Sequence, residues 1–418
     1  MELEPKCRDK LRKLILKGVD ILNTLTLDIG EEVDCDRISG NGVKIYPGCR
    51  IYGEKTVISE GTRLGREGPV TIENCQLGPS VELKGGYFKN AVFLEKSSMG
   101  LGAHVREGCI LEEQANGAHC VGLKQTILMP FVTLGSLINF CDCLMAGGTS
   151  RKNHSEVGSS YIHFNFTPDA DKTTASLIGD VARGVMLNQR PIFLGGQGGM
   201  VGPVRLGYGN VVSAGTIIRK DYTEDNKLII GKNHHGTVID FVPGNYRNLS
   251  RIVRNNILYL ANLVALEQWY IHIRRPFFSA QEFGDLLYNG VIEKLMMAKN
   301  ERIKRLKAMA GNMSSQNEKA KPDSRGSAAR LEFCEKIVAV CELFTGEIAG
   351  TAGLKKRDRF LDSFRAYSRN KEGGYIEIVQ GMPASVAKEG TLWLDRVIAF
   401  LCERVSSLLP LMNLFSKS

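Results

Sequence analysis

The chain has 418 residues, of which 43% are hydrophobic, and its formal net charge is +9. This length predicts two or three domains with ordinary globular cores. The mild positive charge favours anionic ligands such as phosphates or nucleotides, whereas the lack of a regular basic-aromatic stripe argues against a nucleic-acid partner.

The eleven cysteines are scattered without the spacing of a disulfide framework. Together with an N-terminus that lacks an apolar signal core, this pattern indicates reduced thiols and a cytoplasmic protein. No uninterrupted apolar run reaches ~18 residues, so no membrane-spanning helix is expected. Cys141 and Cys143 form a lone C-x-C with no second pair, so no metal site is predicted.

Residues 1–40 are predicted to form an N-terminal helix and a linker. Within residues 4–24, apolar side chains recur at three- and four-residue steps, which is typical of one amphipathic helix. These side chains are Leu11, Leu14, Ile15, Val19 and Leu22.

From residue 41 the apolar period changes to six. The inward-facing positions are predicted to include Ile45, Ile51, Val57, Leu206, Val212 and Ile218. A six-residue period predicts coils with three flat faces, each coil burying its inner side by stacking on the next. We therefore predict a left-handed parallel β-helix over 41–232, with a right-handed β-helix or a sandwich as alternatives. The fold class is mainly β with α.

Two stretches, 144–175 and 183–203, lack clean hexads and are predicted to be loops inserted in the β-helix. Loops that leave a regular scaffold commonly carry binding residues. Residues 245–418 are predicted to form an α-helical domain without a catalytic motif. Within it, Asn245 is the expected cap of a first helix, Ser279 starts a second helix, and 311–327 is a polar linker.

The stretch 101–128, LGAHVREGCILEEQANGAHCVGLKQTIL, carries A-H-x-R-x-G and a lysine one coil later. It resembles the acetyltransferase half of the bacterial bifunctional UDP-N-acetylglucosamine pyrophosphorylase/glucosamine-1-phosphate acetyltransferases, which are hexapeptide-repeat acyltransferases. The resemblance implies that Arg106 and Lys124, which are 18 residues apart, hold the phosphate groups of a sugar substrate. The alternative is a solvated basic ladder.

Two further stretches extend the resemblance. NFTPDADKTTASLIGD at 165–180 keeps the family's aspartate and lysine as Asp169 and Lys172, and Lys172 is expected to contact substrate. VVSAGTIIRKD at 211–221 resembles the coils beside the acetyl-CoA cleft. It implies a co-substrate, acetyl-CoA or another acyl-CoA, near Ser213, Ala214 and Gly215.

Two family positions differ in this chain. Ser136 stands where the family has its general-base histidine, and Asn139, an expected substrate ligand, stands where the family has a tyrosine. A serine cannot take up a proton at neutral pH without its own base. Any acyl transfer therefore needs another base.

The candidate bases are His154, our first choice, and His163. Around His154, Arg151 and Asn153 are predicted substrate ligands, and the insertion that carries them is expected to close over Arg106 and Lys124. The alternatives are a solvated loop for His154 and a strand-surface histidine for His163. The remaining histidines of this region, His104 and His119, are predicted to be surface residues of the coils.

The sequence thus favours an acyl-CoA-dependent acyltransferase that acts on a phosphorylated or nucleotide sugar and, by resemblance, forms a homotrimer with sites between subunits. Pyrophosphorylase activity is not supported, because the residues before the hexads lack a glycine-rich nucleotide loop. The alternatives are a non-catalytic sugar-nucleotide sensor or scaffold that has lost the base, and a purely structural β-helix.

Overall fold

The computed structural model describes residues 5, 7–231, 238, 246, 248–317, 325–345 and 352–415. It contains a parallel β-solenoid followed by α-helices, which confirms the predicted fold class. Most solenoid coils contribute a strand to a first face and then to a second and a third face, and successive coils pair in parallel.

The first face is an 11-stranded sheet. Its strands are Asp20–Ile21, Lys44–Ile45, Arg63–Leu64, Glu82–Leu83, Ser98–Met99, Asn116–Gly117, Thr133–Leu134, Glu156–Val157, Phe193–Leu194, Val211–Val212 and Leu228–Ile229.

The second and third faces form one continuous sheet, because two strands, Gly122–Leu128 and Asn139–Met145, run through the corner between them. The other second-face strands are Asp28–Ile29, Arg50–Tyr52, Val70–Glu73, Gly86–Lys89, Ala103–Val105, Ile162–Phe164, Gly199–Val201 and Ile217–Ile218. The other third-face strands are Val57–Ile58, Gln76–Leu77, Ala91–Phe93, Cys109–Leu111, Ser176–Ile178 and Arg205–Leu206.

The solenoid begins before the first hexad. Helix α1, Arg8–Lys17, is shorter than the predicted 4–24 and ends at Gly18, whose φ of +103° suits a residue without a side chain. The strand Asp20–Ile21 then pairs with Lys44–Ile45 as the first coil. The 144–175 stretch also contributes coil strands, Glu156–Val157 and Ile162–Phe164, and projects an antiparallel hairpin of Gly148–Ser150 with Asn153–His154.

The six predicted inward positions are all buried, but Val57 does not point inward. It is in register with Gln76, whose side chain lies against Gly290 of a C-terminal helix, so both point outward from the third face. The inward residue of this strand is Ile58. The prediction for Val57 was wrong by one residue because this face is buried on both sides, so the outward positions are apolar too.

A short helix, α2 (Val181–Gly184), lies between two coils of the solenoid. The later helices are α3 (Leu249–Trp269), α4 (Arg275–Ser279), α5 (Gly284–Asn317), α6 (Arg325–Glu342), α7 (Leu354–Ser368), α8 (Tyr375–Gln380) and α9 (Ala384–Leu408). A π-helical segment, Tyr270–Arg274, joins α3 to α4. The predicted cap Asn245 lies outside the described residues, and Ser279 ends a helix rather than starting one. Among the described residues, none of the helices is both long and apolar enough to cross a bilayer.

Helices α3 and α5 pack on the third face. They bury an outward row of apolar residues that stack in register from coil to coil, consisting of Val92, Ile110, Ile127, Leu144 and Leu177. The first and second faces keep exposed outward rows. The described residues of the helical part therefore leave two faces of the solenoid open to ligands and partners.

Val92→Thr is expected to lower the free energy of unfolding by ~1–3 kcal/mol. Threonine has nearly the size of valine, but it replaces a buried methyl group beneath α5 with a polar hydroxyl. Val338→Thr is the control, since Val338 lies on helix α6 and is 52% exposed, against 0% for Val92. Urea unfolding of both variants measures the difference. Equal losses would mean that α5 does not seal the third face.

Candidate functional site

The second face carries a shallow cavity of about 550 Å³, here called the groove. Its centre lies at equivalent positions of successive coils, since His104, Gly122, Asn139 and Ile162 are in register. Gly122 contributes no side chain to this row and so leaves space between its neighbours. The lining residues are Gly102, His104, Arg106, Cys120, Val121, Gly122, Leu123, Leu137, Ile138, Asn139, Cys141 and Ile162.

One edge of the groove, at the corner with the third face, is cationic. The backbone N–H of Arg106 donates to the carbonyl of Leu123, and Lys124 is in register with Cys141, so Arg106, Lys124 and Cys141 occupy three successive coils. The 18-residue spacing thus corresponds to one full turn. Lys124 is partly neutralised by an ion pair of 2.6 Å between its Nζ and Oε1 of Glu107. Within the described part of the chain, the exposed Arg106 side chain makes no hydrogen bond.

Lys172 lies near this edge, although it does not line the groove. Burial, the largest influence, and the charge of Asp142 raise the pKa of the Cys141 thiol to about 11, while the nearby charges of Arg106, Lys124 and Lys172 act to lower it. Cys141 is therefore a neutral thiol at neutral pH and not a thiolate nucleophile. All three cations lie close enough to one groove residue to act on it, which gives the edge the charge needed to hold an anion.

The segment that carries Asp169 and Lys172 is held by the C-terminal helices. The buried Arg302 of α5 donates from Nη1 to the carbonyl of Lys172 at 3.0 Å and from Nη2 to Oδ1 of Asp142 at 2.6 Å. Side chains of the helical part bond to three more residues of this segment. These bonds run from Asn312 to the Asp169 carbonyl, from Tyr246 to the Asp171 carboxylate and from Asn256 to the Thr173 carbonyl.

The opposite edge of the groove, at the corner with the first face, carries a histidine–serine pair. Nδ1 of His119 lies 2.8 Å from Oγ of Ser136, one coil away, and the N–H of Ser136 donates to Oγ of Ser159 on the next coil. Both residues stand beside groove residues, Cys120 and Leu137. The serine at the position of the family's general base thus has an imidazole partner.

The sequence analysis missed this pair, because it assigned His119 to the coil surface on its own. A signal was present. Asn116 pairs with Thr133 in the first-face sheet, an offset of one coil, and His119 and Ser136 each follow those residues by three positions. Their separation of 17 residues is that same offset.

His163 does not reach the groove. It alternates with the exposed Ile162 and Phe164 and points into the solenoid, where its Nε2 lies 2.8 Å from Oγ of Ser176. Its ring centroid is 6.3 Å from that of Phe140. Burial lowers the pKa of His163 to about 4, so it is neutral in the folded protein at neutral pH. It is shielded from any bound substrate by the coil that it fills.

His163 should make folding pH-dependent. Between pH ~6.5, the ordinary pKa of histidine, and the folded value of about 4, the unfolded chain binds a proton that the folded chain does not. The wild type is therefore expected to lose up to ~1.4 kcal/mol of stability per pH unit in this window, relative to His163→Gln. Urea unfolding at pH 7, 6 and 5 tests this, with His104→Gln, an exposed histidine, as the control. Parallel curves for wild type and His163→Gln would contradict it.

His154, Arg151 and Asn153 lie in the hairpin at the corner between the third and first faces, away from the groove on the second face. Nδ1 of His154 lies 2.8 Å from the Arg151 carbonyl, and its Nε2 is 3.6 Å from Oε2 of Glu156. Arg151 donates to Oγ1 of Thr133 and to two backbone carbonyls, and Asn153 donates to Oγ1 of Thr149. The structure therefore does not bring this set together with Arg106, Lys124 and Lys172.

The predicted acyl-CoA residues share a corner with the histidine–serine pair. Ser213, Ala214 and Gly215 follow the strand Val211–Val212, which is in the same register series as the strands before His119 and Ser136. Ala214 lies in the column of Ser136, three coils further, or ~14 Å at the spacing of paired strands. Ala214 and Gly215 are exposed, and Oγ of Ser213 is 2.8 Å from Oγ1 of Thr216.

Comparison with known proteins confirms the resemblance read from 101–128. No family model matches the chain. It is 27% identical over 213 residues to the bifunctional protein GlmU of Thermotoga maritima, which covers 51% of this chain and 42% of that protein. The GlmU proteins of Trichlorobacter lovleyi (27% over 218 residues, 52% of this chain and 42% of that protein) and Carboxydothermus hydrogenoformans (26% over 235 residues, 56% and 47%) are similar to it to the same degree. The chain thus spans less than half the length of these curated relatives.

Proposed function

We propose that this chain is an acyl-CoA-dependent acyltransferase-like protein that acts on an amino or hydroxy group of a phosphorylated or nucleotide sugar in the groove. The observation that carries the proposal is the pairing of edges: Arg106, Lys124 and Lys172 form a cationic edge, and His119 with Ser136 forms a basic edge. An acceptor anchored by phosphate and activated by a base needs both.

The two edges are separated by the width of one face. His119 and Lys124 are five residue steps apart, which is at most ~16 Å along the chain. Their side chains shorten this gap, so that a hexose phosphate can bridge it. Arg106 and Lys172 are the main phosphate ligands in this proposal, because Lys124 is paired with Glu107 at 2.6 Å.

His119 replaces His154 and His163 as the proposed base. When Nδ1–H of His119 donates to Oγ of Ser136, the lone pair of Nε2 is available for a proton. His119 takes the proton from the acceptor's nitrogen or oxygen as that atom attacks the thioester carbonyl. The carbon–sulfur bond then breaks, and the CoA thiolate leaves and is protonated. Acyl-CoA would lie along the corner column towards Ala214.

The first and second faces support the proposed homotrimer. Near the C-terminal end of the solenoid their outward rows turn apolar, with Phe193, Val211 and Leu228 in register on the first face and Ile162 and Ile217 on the second. These side chains are 39–65% exposed. Exposed apolar rows of this kind mark interaction surfaces, and the third face is already covered by α3 and α5.

A second candidate function is a non-catalytic sugar-nucleotide sensor, favoured by the serine at position 136. Thermal shift assays with acetyl-CoA, glucosamine phosphates and UDP-sugars, followed by an assay for CoA release, separate the two, because a ligand stabilises the state it binds. Stabilisation by both ligand classes with CoA release supports the transferase. Stabilisation by sugars alone supports the sensor, and no stabilisation by either contradicts both.

Arg106→Ala is expected to weaken binding of a phosphorylated sugar about tenfold to a hundredfold, because a charged hydrogen bond contributes ~1.5–3 kcal/mol. Arg63 is the control, an exposed arginine in the outward row of the first face. Isothermal titration calorimetry measures both variants. Unchanged affinity in Arg106→Ala would leave the solvated-ladder interpretation.

A further inference from the structure

A second cavity, of about 620 Å³, lies at the corner between the third and first faces of the solenoid. We call it the corner cavity. The solenoid contributes Glu95, Lys96, Glu113 and Gln114 from two successive coils, and helices of the C-terminal part form the other walls. Its volume is in the range of small-molecule sites. It is at a different vertex of the solenoid from the groove, so it does not belong to the proposed acyl-transfer site.

A buried ion cluster holds the floor of the corner cavity in place. Arg274 is 1% exposed and pairs with both Glu112 and Glu113, with its guanidinium 3.8 Å from the ring centroid of Tyr375. Glu113 and Tyr375 line the cavity. One guanidinium faces two carboxylates here, but burial raises the pKa of Glu112 to about 7, so that at and below neutral pH Glu112 is largely protonated and Arg274 balances Glu113. Under these conditions the floor is polar and carries little net charge.

The wall above this floor is the π-helical segment Tyr270–Arg274, which supplies His272 and Ile273. Such segments are rare and are frequent at functional sites. Around them the lining is largely apolar, with Phe277, Leu361 and Phe364. This part of the cavity suits a hydrocarbon or aromatic body and offers it few hydrogen bonds.

The mouth of the corner cavity has two cations with weak partners. Arg365 is 3.5 Å from Asp362, with both side chains more than 70% exposed, and Lys371 lies 4.8 Å from the ring centroid of Tyr367. Burial is the main influence that lowers the pKa of His272. The charges of Arg357 and Arg365 also lower this pKa, whereas the charge of Asp358 raises it.

Two carboxylates share the mouth. Glu95 is occupied by Lys96, 2.6 Å away, and Glu377 also lies near Lys96. The charge of Lys96 is thus balanced by these two carboxylates. Arg365 and Lys371 are the cations that can interact with the charged group of a ligand.

We propose that the corner cavity binds a small amphipathic carboxylate, whose hydrocarbon body packs against Ile273, Phe277 and Phe364 and whose carboxylate meets Arg365 and Lys371. The apolar walls favour a ligand with a hydrocarbon body, and the cations at the mouth favour a ligand with a negative charge. The geometry makes it a binding site separate from the groove, which stands or falls independently of acyl transfer.

The test is isothermal titration calorimetry of the full chain with octanoate and with octylamine, which share an apolar body and differ in charge. Octanoate is expected to bind at one site per chain and more tightly than octylamine. Ala280→Trp, at an exposed position that lines the cavity, should weaken octanoate binding, because the indole occupies part of the cavity. Arg365→Glu combined with Lys371→Glu should weaken octanoate binding roughly tenfold.

Each single reversal, Arg365→Glu or Lys371→Glu, is compared with Arg369→Glu as the control, because Arg369→Glu makes the same charge change at an exposed residue of the same segment that does not line the cavity. The proposal is overturned if octanoate binds Ala280→Trp as tightly as it binds the wild type, or if octylamine binds as tightly as octanoate. An equal loss in Arg369→Glu would overturn the role of the mouth. Binding of sugar phosphates should be unchanged in all these variants.

Discussion

His119→Ala is expected to lower the rate of CoA release by ~10²–10⁴-fold, the usual contribution of a general base. The reason is the 2.8 Å contact between Nδ1 of His119 and Oγ of Ser136, which orients the imidazole beside the groove. Affinity for the sugar phosphate should change little, because the phosphate is held at the opposite edge. The measurement is the initial rate of CoA release at saturating acceptor, together with the acceptor Kd.

The matched control is His154→Ala, which removes a histidine hydrogen-bonded to the hairpin carbonyl of Arg151. It should retain wild-type turnover. The double variant His119→Ala/Ser136→His moves the imidazole one coil along the same corner, to the family's position, and should recover part of the rate. A large loss in His154→Ala with none in His119→Ala would transfer the role of base to the hairpin.

Arg302→Ala is expected to have the largest effect on stability, lowering the free energy of unfolding by ~3–5 kcal/mol. Its loss leaves the carboxylate of Asp142, which is 5% exposed, buried without its guanidinium partner. It also removes the bond that holds the carbonyl of Lys172, so we expect weaker sugar-phosphate binding in the protein that remains folded. Urea unfolding and calorimetric titration measure the two effects.

Arg305→Ala on the same helix is the control. Arg305 pairs with Glu301 four residues earlier, an interaction that contributes ~0.2–0.5 kcal/mol. Adding Asp142→Asn to Arg302→Ala should recover part of the stability but not the affinity, because the buried charge is removed while the Lys172 carbonyl stays unanchored. Full affinity in Arg302→Ala would show that the helices do not position the sugar-binding segment.

The groove proposed for acyl transfer and the helical part are linked through this segment. The residues that resemble the family's substrate loop, Asp169 and Lys172, bond to α5 and not to the solenoid alone. The helices thus cover the third face and also fix the geometry of the groove's cationic edge. This arrangement gives the C-terminal part a role that no motif in its own sequence indicates.

Much of the solenoid was predictable because its period is local. Each coil repeats one pattern, so six-residue spacings such as Ile45 to Ile51 identify the inner positions without knowledge of the rest of the chain. The same regularity makes the 18-residue step from Arg106 to Lys124 one full turn, and it predicted their stacking. The predictions of inward positions fail where helices pack on the outer side of the solenoid. Val57 is buried on the outer side of the third face, and its hexad could not distinguish a covered outer side from the core.

The coil, the faces and the stacking of Arg106 on Lys124 follow from the amino-acid sequence alone, because neighbouring coils are about the same number of residues apart. Which histidine lies beside the groove depends on tertiary contacts. His163 points into the core, where it packs against Phe140 and lies within hydrogen-bonding distance of Ser176. His154 belongs to a hairpin at another corner of the solenoid. His119 became the candidate because the residue one coil away is Ser136. Contacts between coils, and between the solenoid and the helices, depend on the positions at which loops interrupt the repeat. A local repeat pattern does not predict those positions.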